Sequence, residues 1–547
     1  MTAASASCVK RLFFVLAGLL ACAEAVPPPV PAPRADASVA SDAAPSEDAA
    51  SRADAASSAD ASSADASSSS PDAAQGPTGS VPHAVSVAAA TVIPACTLYV
   101  DAASAGAADG TVSRPYRTIG AGVAAASDGA IICVAEGTYA EAIRPELKPF
   151  TLAGGFATGR SFAVRDSSRF VSRARGDGTS SFLRIDNEGP RDGQLTAVDG
   201  FEITGYSQAI VRDVYYSQRF DITSCYIHDN TCASASDVGA AFALVNVSGT
   251  IRGNVIARNR CSRGGGGFIG ESLAENAVTI TGNWIDANEG DEAGGSSHGG
   301  GLYLLVQSLD ITANLFTGNR TTGWGGGLYV GADTPRGLHA VARLSWNVYR
   351  DNRAGDAGGG FFCDDAARCT SDHEIYDSNC GGNVFLDSSP TESDPTIASF
   401  DHLTSYRGLA VGCGGPGPGV VIVKNNIAPD AYSFTRSIFW GNAAGREIVT
   451  SCTTSPGVDC SRASVSVTES NFTTYFDDGI AVTFGAGNAA SGDPRFVDPA
   501  ARDFHLQSTR GHWTPGGFVT DAADSPALAT AGRSELGAYG DSVEASR

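Results

Sequence analysis

A short unit returns four times along this chain, and its return restricts the possible folds more than any bulk property. Residues 254–270 read NVIARNRCSRGGGGFIG, 283–306 read NWIDANEGDEAGGSSHGGGLYLLV, 314–330 read NLFTGNRTTGWGGGLYV and 347–363 read NVYRDNRAGDAGGGFFC. Asn254, Asn283, Asn314 and Asn347 lie 29, 31 and 33 residues apart, and each is followed five residues later by a second asparagine: Asn259, Asn288, Asn319 and Asn352. An earlier member of the second series stands at Asn230 in CYIHDN. A period of this size marks supersecondary units that stack on one another rather than share a single globular core.

The kind of unit follows from what fills it. Leucine-rich, ankyrin and tetratricopeptide repeats are excluded, because no leucine ladder and no paired helices accompany the period. Short β-branched and aromatic runs such as LTAVDGFEITG, FALVNVSGTI, AVTITGNWI and GVVIVKNNI alternate with Gly, Asn, Asp and Ser instead. These read as strands broken by tight turns. The predicted architecture is all-β: a parallel β-helix whose coils each give two or three short strands to parallel sheets, rung on rung about 4.8 Å apart. Asparagine tolerates left-handed backbone geometry, so it is expected at the bends, with stacked side chains bonding in a ladder. The glycine runs are expected where backbones approach too closely for a Cβ.

Other segments frame this body. Lys10 and Arg11 precede an apolar run from Leu12 to Leu20, so residues 1–25 read as a signal peptide, too short to span a membrane. LLAC at 19–22 matches a lipobox with Cys22 as the lipidated residue, while AEA at 23–25 also fits an ordinary cleavage site. Residues 26–90 are Pro-rich, then almost wholly Ala, Ser and Asp, with too little apolar bulk to order. As a flexible tether they would reach ~40–50 Å. The β-helix is expected over 91–540, followed by a polar tail at 541–547.

TLYVDAASAGAADGTVSRPYRTIGAGVAAASDGAIICVAEGTYAEAI, residues 97–143, resembles the opening of the right-handed parallel β-helix proteins of the pectin-lyase-like superfamily. That resemblance implies a short helix capping the first coil and rungs beginning at the GTY turn. The FxxN pairs Phe316 with Asn319 and Phe439 with Asn442, together with the glycine runs, are similar to repeats of polymorphic outer membrane proteins. GDPRFVDPAARDFHLQSTRG and the later SPALATAG and ELGAYG look like the last coils of extracellular β-helix proteins. The resemblance runs over about residues 96–540 and speaks to fold more than to activity, since this scaffold carries lyases, hydrolases, adhesins and passive surface proteins.

Charge and cysteine narrow the function. A net charge of −22 repels nucleic acid and anionic lipid alike, so membrane contact is expected only through a lipid anchor. Without Cys8 and Cys22, eleven of the 13 cysteines remain, an odd number; export allows them to form disulfides, and Cys363 with Cys369 or Cys452 with Cys460 could close short loops, but spacing does not set the connectivity. No CxxC or matching histidine spacing indicates a metal site, and no cofactor is implied. The loop NEGDEAGG offers calcium only Glu289, Asp291 and Glu292, short of its six to eight oxygen ligands. GGGG at 264–267 lacks the Lys-Ser or Lys-Thr of a phosphate loop.

Catalytic candidates are few. Asp364-Asp365 in FFCDDAARC is the nearest approach to an acidic dyad, but the NTD, GHG and RIK strings of polygalacturonase-type hydrolases do not occur, and a disulfide-closed surface loop is the simpler reading. Asp401-His402 in ASFDHLTSY resembles a strand-end pattern of the superfamily, with a structural histidine as the simpler reading. The positions between paired asparagines, His228-Asp229, Ala257-Arg258, Asp286-Ala287, Thr317-Gly318 and Arg350-Asp351, read as alternating charge on a solvated edge, with a ligand-binding stripe as the alternative. Trp284, Trp324, Trp346 and Trp440 recur near the turns and are expected to stack in the interior, with stacking on sugars as the alternative.

The sequence therefore leads to an exported, lipid-anchored, non-catalytic monomer at the outer membrane or cell surface. Its expected partners are extracellular polysaccharide or another surface component. The alternatives are a secreted form, and a polysaccharide lyase or glycoside hydrolase on the same scaffold. An autotransporter barrel lacks the alternating C-terminal strands it would need.

Overall fold

Strands of successive coils pair in parallel register throughout, as in Leu302–Leu305 on Leu328–Val330 and Ser308–Thr312 on Val341–Ser345. The computed structural model describes residues 87–145, 148–159, 161–186, 194–270, 276–291, 297–332, 340–364, 366–388, 394–443, 446–453, 457–490, 492–514, 517–528 and 535–539. The unit Ala73–Arg547 holds all of them; the unit Met1–Asp72 lies outside the described residues, and with it the signal peptide, Cys22 and most of the linker.

Each coil runs from a first stack of strands (Phe361–Cys363, Val384–Leu386, Val420–Lys424) through a loop to a second (Arg368–Asp372, Ile397–Asp401, Ala431–Thr435). A tight turn then leads to a third stack (Ile375–Asp377, Thr404–Tyr406, Ile438–Trp440). The first two stacks belong to one 23-stranded sheet and the third is a 13-stranded sheet. The fold is a right-handed parallel β-helix, the hand that strand–crossover–parallel-strand connections adopt. Helix α1, Ile119–Ala125, caps the first coil. Thr118 Oγ1 accepts from Ala121 N and the Glu141 carboxylate accepts from Ile119 N and Gly120 N at 2.7 Å, while Ile119 and Val123 pack on Val100 and Ile132.

The asparagines form two ladders. Asn254 Nδ2 donates to Asn283 Oδ1, Asn283 to Asn314 and Asn314 to Asn347, each at 2.9 Å. The second ladder runs Asn230, Asn259, Asn288, Asn319, Asn352 and on to Asn379 at 2.9–3.0 Å. Each Oδ1 also accepts the backbone N–H of its counterpart one coil earlier, as Asn283 Oδ1 does from Asn254 N at 3.0 Å, so buried turn amides are satisfied coil by coil. The expectation that asparagine itself bends left-handed is corrected. The residue before it does: Asp229, Arg258, Ala287, Asp351 and Ser378 have φ of 51–57°. The ladder holds these unfavourable turns in place.

Glycine runs are packing devices rather than flexible loops. A Cβ on Gly265 would lie 2.4 Å from the Glu289 backbone, on Gly301 2.3 Å from Gly327 O and on Gly360 2.6 Å from Asn383 O. Phe316, Tyr349 and Tyr376 make the interior ring stack, with centroids 4.8 and 4.6 Å apart. The tryptophans do not: Trp284, Trp324, Trp346 and Trp440 are all half-buried, and none belongs to the main core. Trp284 Nε1 instead donates to Thr317 Oγ1 at 2.7 Å across one rung.

The stretch resembling terminal coils differs. Phe496–Asp498 and Asp503–Leu506 pair antiparallel, and Phe496, Phe504, Leu506, Ala527 and Leu536 pack on Val348, Ile375 and Ile438, the outward side chains of the third stack. Among the described residues five disulfides form: Cys363–Cys369 and Cys452–Cys460, the two short loops, and also Cys96–Cys133, Cys232–Cys261 and Cys380–Cys413. The odd cysteine is Cys225, buried in the core.

Candidate functional site

The outer face of the first stack carries a row of aromatic rings because the strand alternation turns the same position outward in every coil. Phe268, Tyr303, Tyr329, Phe362 and Phe385 follow one another with centroids 5.3, 5.2, 5.3 and 5.0 Å apart. Tyr329 and Phe362 are buried, whereas Phe268, Tyr303, Phe385 and the neighbouring Trp324 are half-buried.

The row ends at carboxyl groups. Asp364 and Asp387 directly follow the paired residues Cys363 and Leu386, so they occupy equivalent positions on consecutive coils, and Asp387 N donates to Cys363 O at 3.0 Å. Tyr329 Oη donates to Asp364 Oδ2 at 2.9 Å. Burial and, next, the charge of Asp364 push the Asp387 carboxyl up to about 8. Asp364 thus has a carboxyl neighbour one rung away in Asp387; Asp365 lies outside the described residues. Sequence reasoning missed Asp387 because the connecting loop shortens this coil.

One coil beyond, Lys424 Nζ donates to Asp430 Oδ2 at 2.9 Å, and both side chains are fully buried. Asn426 Oδ1 and Ala428 O also accept from Lys424, so this lysine ties down the loop after its strand.

The second candidate, Asp401-His402, stands at the tight turn after the second stack. The coil before it carries Asp372-His373 at the same turn, with Asp372 paired to Asp401 in register. The repeated DH, 29 residues apart, is the sequence signal that would have found it. The imidazoles stack at 4.4 Å, and Trp346 stacks on His373 at 4.1 Å. His373 Nδ1 lies 2.7 Å and His402 Nδ1 3.7 Å from Asp372 Oδ1. Burial opposes ionisation of Asp372, but the adjacent His373 and His402 imidazoles outweigh it and hold this carboxyl well below its usual range. Asp401 accepts from Arg436 Nε at 2.8 Å and also from a terminal guanidinium nitrogen.

Other sequence candidates serve structure. Arg320 bonds Glu289 at 2.6 Å and Arg260 bonds Asp291, so these carboxylates pair with arginines of neighbouring coils; Glu292 lies outside the described residues. In the column between asparagines, Asp229 bonds Arg258 at 2.9 Å on the surface, whereas Arg350 is buried beside Asp377 under the C-terminal segment and is not solvated.

Residues 102–296 match the family model described as Protein of unknown function (DUF1565). No curated protein matches the chain. Among solved structures, "The complex structure of XylC with xylose" is similar at 13% identity and TM-score 0.45, over 75% of this chain and 87% of that one. "Crystal structure of pectate lyase Pel9A" follows at 11% identity and TM-score 0.28, over 81% and 95%. A DFA-IIIase mutant from Arthrobacter chlorophenolicus A6 has 11% identity and TM-score 0.25, over 72% and 86%. Likeness at this level carries nothing about activity.

Proposed function

We propose that this is an exported, lipid-anchored cell-surface protein whose β-helix binds extracellular polysaccharide along the first stack without cleaving it. The observation that carries the reading is the outward aromatic row ending at Asp364 and Asp387: half-buried rings offer apolar surface to sugars, and the carboxyl groups offer partners to hydroxyls. Five disulfides support an oxidising compartment. Lipid on Cys22 and a tether over 26–90 fit a surface location. A lyase would need a lysine or arginine available as base, and Lys424 and Arg436 are both engaged with aspartates.

The Asp364–Asp387 pair favours one second reading, a glycoside hydrolase. Two carboxyl groups on adjacent rungs, whose backbones lie about 4.8 Å apart, offer the paired acids a glycosidase uses, and a carboxyl raised to about 8 suits a general acid. A glycan array with and without calcium, followed by product analysis, separates the two. Binding weakened by Tyr303→Ala or Phe385→Ala, with no new reducing ends, is the expected result. Turnover abolished by Asp387→Asn would replace it with the second reading, and retention of no glycan would overturn both.

A further inference from the structure

The turn after the second stack gathers Asp372, His373 and His402 from two consecutive coils, and their ligand atoms all lie within 4.8 Å of one another. Equivalent turn positions in earlier coils hold Gly253, Gly282 and Ala313. The two histidines take the same left-handed backbone, with φ of 56 and 49°, a conformation unfavourable for a bulky side chain. Register then sets the rings side by side on one edge. Trp346 stacks on His373 from the preceding coil, so binding one ion requires the two imidazoles to cant toward each other.

We propose that Asp372, His373 and His402 bind one divalent first-row transition ion, of the zinc or copper class. Two imidazole nitrogens with one carboxylate suit such ions, whereas calcium and magnesium require sets of oxygen ligands. Ligand bonds of ~2.0–2.2 Å place donor atoms roughly 3.3 Å apart around a tetrahedral ion. The Asp372 Oδ1 separations of 2.7 and 3.7 Å from the two Nδ1 atoms bracket that spacing. The ion takes the place of the direct Asp372–His373 contact. Charge favours it: Asp372 lies beside both imidazoles, while Asp401, 3.4 Å from His402 Nδ1, is paired with Arg436. His402 is buried while the Asp372 side chain is 49% exposed, so the ion would enter from the Asp372 side and keep a coordination position toward solvent. The inference is independent of glycan binding at the first stack.

The test is titration of the purified, untagged full chain with Zn2+ against a chromophoric chelator, with metal content measured after dialysis. His373→Asn and His402→Asn are the informative variants, since asparagine accepts left-handed backbone. His228→Asn, at a histidine engaged with Glu202 and Asp229, is the control. One equivalent should bind to the wild type and the control, and each informative variant should weaken it at least about tenfold, the lower bound for losing even an outer ligand partner. The wild type loaded with Co2+ should give a visible ligand-field band, which requires no variant to fold. Wild-type binding equal to that of the His373→Asn/His402→Asn double variant, or no band with Co2+, would overturn the proposal.

Discussion

Asn347 Nδ2 donates to Glu374 Oε1 at 2.8 Å, so the run of amides beginning at Asn254 ends on a carboxyl group inside the β-helix. Asn347 N donates to the same oxygen at 3.0 Å, and Tyr376 Oη reaches the other at 3.3 Å. Burial pushes Glu374 up from 4.5 to about 8 despite these bonds.

That carboxyl makes stability depend on pH. Below 4.5 the folded and unfolded chains are both protonated at this site; between 4.5 and about 8 only the unfolded chain ionises, so stability falls as pH rises, and above about 8 the loss is complete. Glu374 alone should account for a decline of about 4 kcal/mol between pH 5 and pH 9. Asp387, also raised to about 8, adds to it. Glu374→Gln keeps an acceptor for Asn347 without the charge, so its urea midpoint should fall less over this range. An unchanged pH slope in the variant would refute the assignment.

The ladders predict a position-independent cost. Asn283→Ala strands the Asn254 side-chain and backbone donors inside the fold and should destabilise by about 3 kcal/mol, and Asn288→Ala should match it through Asn259. Denaturant unfolding measures both. A cost near zero at either site would mean that the amides are dispensable.

Glycines divide by what their Cβ would meet. Gly301→Ala puts a methyl 2.3 Å from the Gly327 carbonyl oxygen of the next coil, with Ile285 and the laddered Asn319 side chain at 3.1 and 3.2 Å behind it, and should cost about 3 kcal/mol or more. Gly282→Ala meets nothing within 4 Å and needs only a left-handed alanine, as Ala313 already provides one coil on, so about 1 kcal/mol is expected. Equal losses of thermal stability would contradict the close approach.

The cysteines give a fourth check. Burial raises the Cys225 thiol to about 12, so alkylation mapped by peptide digestion should find it unmodified in the native protein and modified after unfolding without reductant. Cys232–Cys261 closes 29 residues and Cys363–Cys369 only 6; replacing each pair by serine should cost about 3–4 and about 2 kcal/mol respectively. The reverse order in calorimetry would count against chain entropy as the main contribution.

Residues 254–363 disclosed the coil because turn, glycine run and strand recur at nearly constant spacing, and each ladder asparagine needs its counterpart one coil away. Asp387 was not legible: it stands 23 residues after Asp364, outside the 29–33 rhythm, and only the pairing of Cys363 with Leu386 aligns them. Glu374 hid for another reason. A carboxyl group takes over an amide position there, which no search for asparagine would register. The cover over the third stack has no period at all, and its apolar residues become meaningful only beside Val348, Ile375 and Ile438.

That cover also orders events in time. Ala538 N donates to Thr404 Oγ1 at 2.9 Å across 134 residues, and Gly537 N donates to Arg436 O at 2.8 Å. Coils can wind as soon as their neighbours emerge, since each contacts only the next, but the greasy flank of the third stack must wait for residues 496–538 to be synthesised. A chain released early would present that flank to any passing strand or chaperone. Arrival of the final segment is what makes the wound body safe to be left alone.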